Sequence, residues 1–191
     1  PTQALKLSRR MNKVIQVLLL TVFCLGSCKQ KPENVIADIM KHYEKINSTL
    51  KDYKVKQVDD ITSPASGTIT GYYREDEIKK IESEHFTDTS RTFSEYYFDD
   101  GMLIFIIKQN FIYNRPNTYT EEVAKAKGDS VWYDDKKTRM EITKFYFSNN
   151  KLLKWVAPND KEVPAITWAQ TNKEAALWAE TIVLIKELKE Q

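Results

Sequence analysis

The sequence predicts an α+β fold with an N-terminal amphipathic helix, an antiparallel β-meander of about six strands, and a C-terminal helix packed on the sheet. Apolar residues recur every three or four positions near both ends of the chain, as in helices that bury one face. Between these ends, 17 of the 22 aromatic residues lie from Tyr72 to Trp155, among many β-branched residues. Both cysteines, Cys24 and Cys28, precede this region, so neither disulfides nor cysteine-bound zinc can stabilise it.

The first helix is predicted over residues 33–53. His42 lies at the edge of its apolar stripe. A histidine with no second His or Cys one turn away is typical of a half-exposed boundary position, so we do not expect a metal ligand there. The apolar residues that define the stripe are Ile36, Ile39, Met40, Tyr43, Ile46, Leu50 and Tyr53.

Three segments of the central region share one pattern, which is an aromatic pair, a polar turn and an apolar strand. They begin at Tyr72, Tyr97 and Tyr146 and align without gaps at offsets of 25 and 49 residues. Asp-Gly at 100–101 and Asn-Asn at 149–150 tolerate the positive φ angles of two-residue hairpin turns. Three hairpins of one kind predict the meander, although the same pattern is also a general hairpin signature.

A long polar segment, residues 114–139, separates the second and third hairpins. Residues 120–128 within it predict a short helix that stops at a glycine. After a turn at 158–160, Thr171 and Glu174 form a predicted capping box for the last helix. The broad apolar face of this helix predicts packing on the sheet. That face contains Ala175, Trp178, Ile182 and Ile185, with Leu177, Leu184 and Leu188 beside them.

Near the N-terminus, a short basic start precedes an apolar run of 12 residues, 14–25. A run of this length is too short to span a membrane and is typical of a secretory signal peptide. It ends in Leu25-Gly26-Ser27-Cys28, which resembles the lipobox of bacterial lipoproteins. The resemblance implies that the signal peptidase recognises Leu25, Gly26 and Ser27, and that Cys28 carries a diacylglyceryl thioether and an acylated amino group.

The resemblance also implies an organisation and a location. Residues 1–27 would be an N-terminal extension and signal peptide that is removed, residues 28–32 the lipidated cysteine and tether, and residues 33–191 a single α+β domain. Removal of the first segment changes the net charge from +2 to −2, with 25 basic against 27 acidic residues. We therefore expect a membrane partner through the lipid anchor and no nucleic acid. Lysines rather than acids after the cysteine favour an outer membrane location facing the periplasm.

The sequence offers little for catalysis. Five glycines form neither a dinucleotide-binding nor a phosphate-binding loop, and no metalloprotease helix or nucleophile elbow is present. Ser83 and His85 would share one strand face, but nothing supplies an oxyanion site. We expect no catalytic residue, no metal site and no cofactor besides the covalent lipid. Acid clusters, at 59–60, 75–77, 99–100 and 134–135, leave an acid-pair hydrolase as an alternative.

Aromatic residues on the outer face of the sheet are the better functional candidates. In a sheet covered on one face, one ring of each aromatic pair points away from the core, unless a helix covers it as well. We expect Tyr72, Tyr97 and Tyr146 to form a binding surface for an envelope protein, a glycan or a lipid. The sequence therefore favours a non-catalytic binding or structural lipoprotein of the cell envelope. An inhibitor or immunity-type protein for an envelope enzyme is the first alternative.

Overall fold

Eight strands form one antiparallel sheet in which each strand pairs with its neighbours in the chain. This architecture comes from a computed structural model, which describes residues 31–60, 66–164 and 167–190. The predicted signal peptide, with Leu25, Gly26, Ser27 and the predicted lipidation site Cys28, lies outside the described residues. Residues Pro32–Gln191 group into one compact unit.

The α+β class is confirmed, but the sheet has eight strands where about six were predicted. The two additional strands lie at the edges, and both are short or charged, so their alternation is weak in the sequence. Strand β1 has three charged residues in six, and β8 has only two residues. The strands are β1 Lys54–Asp59, β2 Gly67–Arg74, β3 Glu77–Phe86, β4 Ser90–Asp99, β5 Met102–Ile112, β6 Arg139–Ser148, β7 Lys151–Ala157 and β8 Lys161–Glu162.

Helix α1 spans Pro32–Ser48 and is followed by a separate 3-10 turn, Leu50–Asp52. The predicted helix over 33–53 was therefore too long at its C-terminal end. The hydroxyl groups of Ser48 and Thr49 both donate to the carbonyl of Lys45, at 2.9 Å each. Hydroxyl groups that bond the preceding turn compete with the helical backbone, which accounts for the stop.

All three predicted hairpins are present, and they share one geometry. Each tight turn has two residues with positive φ: Glu75 and Asp76, Asp100 and Gly101, and Asn149 and Asn150. The register of each hairpin also shifts once, within the aromatic pair, between Tyr72/Tyr73, Tyr97/Phe98 and Tyr146/Phe147. In each hairpin the second strand has one extra residue opposite the pair, Lys79, Ile104 or Leu153, which forms a bulge at the same place. The two rings of each pair point to opposite faces because they are consecutive residues of a strand.

Helix α3, Thr167–Glu190, packs on one face of the sheet, which we call the α3 face. The helix begins four residues before the predicted capping box, so Thr171 lies within it. Glu174 instead accepts hydrogen bonds from the backbone amide of Leu152 at 2.7 Å and from Lys151 at 3.0 Å. Ile182, expected in the apolar face, is 59% exposed, whereas Thr181 is buried. The buried core of this face contains Ile69, Ile81, Tyr96, Phe98, Ile106, Phe145, Phe147, Leu177, Leu184 and Leu188.

Helix α1 covers part of the opposite face, which we call the α1 face. Asn47, near the end of the helix, contacts strands β3 and β4, while Val156 of β7 belongs to the same apolar cluster. The helix therefore crosses the strands. The buried core of this face contains Ile39, Ile46, Tyr97, Phe105, Tyr146 and Val156.

The long polar segment contains a short helix, α2 Glu121–Ala126, as predicted. The Thr120 side chain caps it by accepting from the Val123 amide at 3.4 Å, and Gly128 follows it with a positive φ of 70°. The segment is tied down, because Asn114 bonds both the Trp132 carbonyl at 2.8 Å and the Asp134 amide at 2.9 Å. Among the described helices, none is both long and apolar enough to cross a membrane.

Candidate functional site

The three tyrosines predicted to form a binding surface all lie on the α1 face, but the helix covers them. Tyr97 and Tyr146 are buried, and the Tyr97 ring packs edge-on against Tyr43 of α1, with centroids 5.0 Å apart. Tyr72 is half-buried and donates to Glu82 at 2.8 Å. The expected exposure of Tyr97 and Tyr146 is therefore wrong, because each face of the sheet carries a helix.

Tyr72 and Tyr97 belong instead to a charged cluster beneath the end of α1, which we call the Lys80 cluster. The Lys80 side chain is only 3% exposed, and its ammonium group lies 2.7 Å from Glu82 and 2.5 Å from Glu95. Its members are Lys80, Glu82, Glu95, Tyr72, Tyr97 and Asn47. Two carboxylates on one cation leave a net charge of −1 in a largely buried position.

Each member of the Lys80 cluster has a hydrogen-bond partner within the cluster. Tyr97 donates to Glu95 at 2.8 Å, and the Asn47 carbonyl oxygen accepts from Lys80 at 3.1 Å. Burial first, and then the hydrogen bond to Glu82, raise the pKa of Tyr72 to about 12. Burial and the charge of Glu95 raise the pKa of Tyr97 further. A network of this kind, with a partner for each member, holds the helix end on the sheet.

The other half of the α1 face is not covered by the helix and carries an apolar strip. Phe93 precedes Tyr97, and Met140 and Ile142 precede Tyr146, by even numbers of residues without a register shift, so all three lie on the α1 face. We call the strip formed by Phe93, Phe111, Met140 and Ile142 the open apolar surface. Within the described part of the chain, none of its members belongs to either buried cluster, and Met140 is 50% exposed.

The geometry of α1 explains why this half is open. A helix of 17 residues is about 25 Å long, but it covers a band only about 10 Å wide where it crosses strands. Strands β4, β5 and β6 have 10 or 11 residues and are therefore about 35 Å long. One crossing helix does not reach the ends of these strands that are remote from the tight hairpin turns.

A cavity of about 370 Å³ adjoins the open apolar surface. The Arg91 guanidinium stacks on the Phe111 ring at 4.4 Å from its centroid, and Arg91 also lies 3.5 Å from Glu84. The Thr138 hydroxyl lines this cavity and is buried without a hydrogen-bond partner among the described residues. A polar group of a bound ligand would supply the hydrogen bond that this hydroxyl lacks. The cavity is lined by Arg91, Phe111, Tyr113, Asp135, Thr138 and Met140.

A second cavity of about 490 Å³ lies at the tight-turn end of the sheet and brings together acids that the sequence placed in separate turns. His42 Nδ1 lies 3.5 Å from Asp99, and Glu77 pairs with Lys79 at 2.7 Å. The floor is apolar, with Phe98 and Ile46. A histidine beside a carboxylate can exchange protons with a bound molecule, so this cavity is the place where acid–base chemistry could occur.

The predicted strand pair of Ser83 and His85 does not form a nucleophile and base. His85 Nδ1 instead lies 3.0 Å from Asp60, whose side chain is fully buried. The Ser83 hydroxyl is buried, and among the described residues it has no hydrogen-bond partner, His85 included. Of the other acids, Asp134 caps a 3-10 turn by accepting from the Lys136 amide at 3.1 Å. Within the described ranges, no group of three His, Cys, Asp or Glu side chains is placed to hold a metal ion.

Sequence reasoning did not single out Phe93, Phe111, Met140 and Ile142. The signal that could have found them is local, and it is clearest at the start of β6, where charged residues alternate with Met140 and Ile142. Comparison of the chain with protein-family models, with curated proteins and with solved structures finds no match.

Proposed function

We propose that this protein is a lipid-anchored binding domain of the bacterial cell envelope that holds a partner on its open apolar surface. The observation that carries the proposal is an aromatic and aliphatic strip on a sheet face that the helices leave open. Exposed contiguous apolar surface in a soluble domain is typical of an interaction site. The protein is proposed to be non-catalytic, with no cofactor other than the lipid and with no nucleic acid partner.

A protein partner fits the open apolar surface better than a glycan or a free lipid. Flexible Met140 and branched Ile142 lie beside two phenylalanine rings, and such a mixed surface packs against another apolar protein surface. The stacked pair of Arg91 and Phe111 resembles the anchors on which protein interfaces depend. An inhibitor of an envelope enzyme would use the same surface, and it differs from a general binding module only in what the partner does.

The membrane anchor rests on the sequence of residues 14–28. In this proposal Cys28 is acylated after cleavage behind Ser27, and the domain lies at the outer membrane facing the periplasm. Changing Cys28 to Ala should release the protein from the membrane fraction and abolish fatty-acid labelling. Cys24→Ala is the matched control, and it should keep both. Membrane association and labelling that survive Cys28→Ala would contradict the anchor.

The binding surface is tested by photo-crosslinking in the native envelope, with the probe placed at Gln109, beside the strip. Wild-type protein should give one crosslinked protein band, and Phe93→Ser and Phe111→Ser should each weaken that band at least tenfold. Val55→Ser removes an exposed apolar side chain from β1, outside the strip, and should leave the band unchanged. Equal crosslinking in wild type and both phenylalanine variants would reject this surface. A crosslink to glycan or lipid alone would reject the choice of partner.

The cavity at His42 supports a second candidate, an acid-dependent hydrolase. The specific observation is the pairing of His42 with Asp99 beside Glu77 in a cavity of about 490 Å³. A hydrolase would lose turnover with His42→Gln and Asp99→Asn, while membrane attachment and crosslinking at the open surface would be unchanged. Unchanged turnover in both variants would exclude the hydrolase.

A further inference from the structure

Strand β6 has a free edge over half of its length. Strand β5 pairs with it from Arg139 to Tyr146, whereas β7 pairs with it only from Lys144 onward. Within residues 31–60, 66–164 and 167–190, no strand pairs with residues 139–143 on the side opposite β5. Outward-facing amide and carbonyl groups along such an edge are a template for another strand.

The other two edges of the sheet are protected, and this one is not. Strand β1 carries Lys54 and Lys56, two like charges on the same side of the strand, and like charges discourage pairing. Strand β8 has only two residues and is too short to template a partner strand. Residues 139–143 contain no proline, lysine or bulge, and they alternate charged or polar residues with Met140 and Ile142.

The sequence of this edge is complementary to itself. Arg139 and Glu141 point to one face, and Met140 between them points to the other. In an antiparallel pair of identical strands with Met140 opposite Met140, each Arg139 lies opposite Glu141 of the second copy. A twofold axis perpendicular to the sheet preserves the faces, so Met140 meets Met140 of the second copy and opposite charges meet on the other face. Moving the axis to Glu141 would place two glutamates opposite each other.

We propose that two copies of this chain form a dimer by antiparallel pairing of their β6 edges, centred on Met140. The pairing joins the two sheets into one of sixteen strands. It also brings the open apolar surfaces of both copies together at Met140, which creates one larger surface for a partner. The dimer does not depend on the proposed binding function, because it uses the strand edge and not the face.

The room beside the edge is compatible with a strand. A cavity of about 410 Å³ lies between residues 139–142 and the turn Pro158–Asp160. Lys144 pairs with Asp160 at 3.1 Å, which fixes this turn at the end of the free edge. The turn lies across this cavity from the edge, and so it limits the pairing to a few residues around Met140. Arg139 and Glu141 now pair with each other at 3.2 Å, with side chains 70% and 36% exposed, so both can change partner.

Exchanging the charges of Arg139 and Glu141 tests the register of the proposed strand pairing. The full chain is purified in detergent in two differently tagged forms, and recovery of one form with the other is measured. Wild-type copies should recover each other. Arg139→Glu and Glu141→Arg should each weaken self-association roughly tenfold, because two symmetry-related pairs become like charges. Val123→Lys on helix α2 is the control that should change nothing.

Two combinations of these substitutions show whether a weaker association comes from the mispaired charges or from a general loss of folding. A mixture of the Arg139→Glu form with the Glu141→Arg form should associate as the wild type does, because Glu then faces Arg at both pairs. The double variant with both changes should also recover self-association. Wild-type protein that remains monomeric at tens of micromolar would overturn the proposal, as would single variants that associate normally or mixtures that fail to recover. Crosslinking at the open apolar surface reports the partner separately, so either proposal can fail alone.

Discussion

The two halves of the α1 face depart from the usual pattern of burial in opposite ways. Beneath the helix lie an ammonium group and two carboxylates, whereas beyond the helix Phe93 and Phe111 remain partly accessible. Charges are normally exposed and large apolar groups are normally buried. The covered half tolerates its charges because each one has a partner within the cluster. In the open half the Arg91 guanidinium stacks on the Phe111 ring, and the apolar surface that stays accessible is where the proposed partner would bind.

The largest expected effect is loss of the cation in the covered half. Lys80→Met should lower the free energy of unfolding by about 3–5 kcal/mol, since Glu82 and Glu95 would then be buried together without a counter-charge. Urea denaturation measures the loss, and Lys41→Met, at an exposed lysine of α1, is the control. Adding Glu82→Gln and Glu95→Gln should recover part of the stability. A loss below about 1 kcal/mol for Lys80→Met would show that water reaches the cluster.

A pair of phenylalanines on β5 compares the two halves directly. Phe105 is buried under α1, and its replacement by Ala should cost about 3–5 kcal/mol, because it leaves a cavity. Phe111 on the open half is only partly buried, and the same change there should cost less than about 1.5 kcal/mol. Both values come from urea denaturation of otherwise identical proteins. Equal losses of unfolding free energy would mean that Phe111 is part of the core. The open apolar surface would then not be available to a partner.

The hairpins were predictable because their signals are local. Positive-φ residues such as Asp100, Gly101 and Asn149 mark the tight turns, and the aromatic pairs mark the strands around them. Helix α2 was predictable for the same reason, with a capping threonine before it and a glycine after it. Each of these signals lies within a few residues of the structure it specifies.

The binding surface was not predictable because burial of a ring depends on distant elements. Tyr97 and Phe93 lie on the same face of the same strand, and only the position of α1 decides that the first is buried. Likewise, Lys80 gives no local sign of burial, since its partners come from β3, β4 and α1. The same dependence explains the start of α3, where Glu174 bonds the β6–β7 hairpin instead of capping its own helix.

Glu174 offers a smaller effect on the opposite face, where a single acid fixes a helix to the sheet. The hydrogen bonds from the Leu152 amide and Lys151 outweigh the opposing effect of burial, and together they lower the pKa of Glu174. A lowered pKa stabilises the fold above the ordinary glutamate value of about 4.3, and this contribution is lost as the pH falls below it. Glu174→Gln should cost about 1–3 kcal/mol at pH 7.

The control for this effect is its pH dependence. The stability difference between wild type and Glu174→Gln, measured by urea denaturation, should shrink as the pH is lowered from 7 to about 3. Glu190→Gln, at an exposed acid near the end of the same helix, should show neither the loss nor its pH dependence. A difference that stays constant over this range would mean that the charge of Glu174 contributes nothing.

The smallest expected effect lies at the rim of the Lys80 cluster, where Tyr72 is only half-buried. Its pKa of about 12 should contribute to the late part of the tyrosinate titration of the wild type, and Tyr72→Phe should remove the absorbance of one tyrosine from that part. The pKa is raised above the ordinary value of about 10, so the stabilisation is present below pH 10 and is lost as the pH rises toward 12. Because burial is the larger cause, Glu82→Gln should lower this pKa only partly. If the pKa of Tyr72 returned to 10 in that variant, Glu82 alone would raise it. Burial in the covered half would then contribute nothing to this pKa.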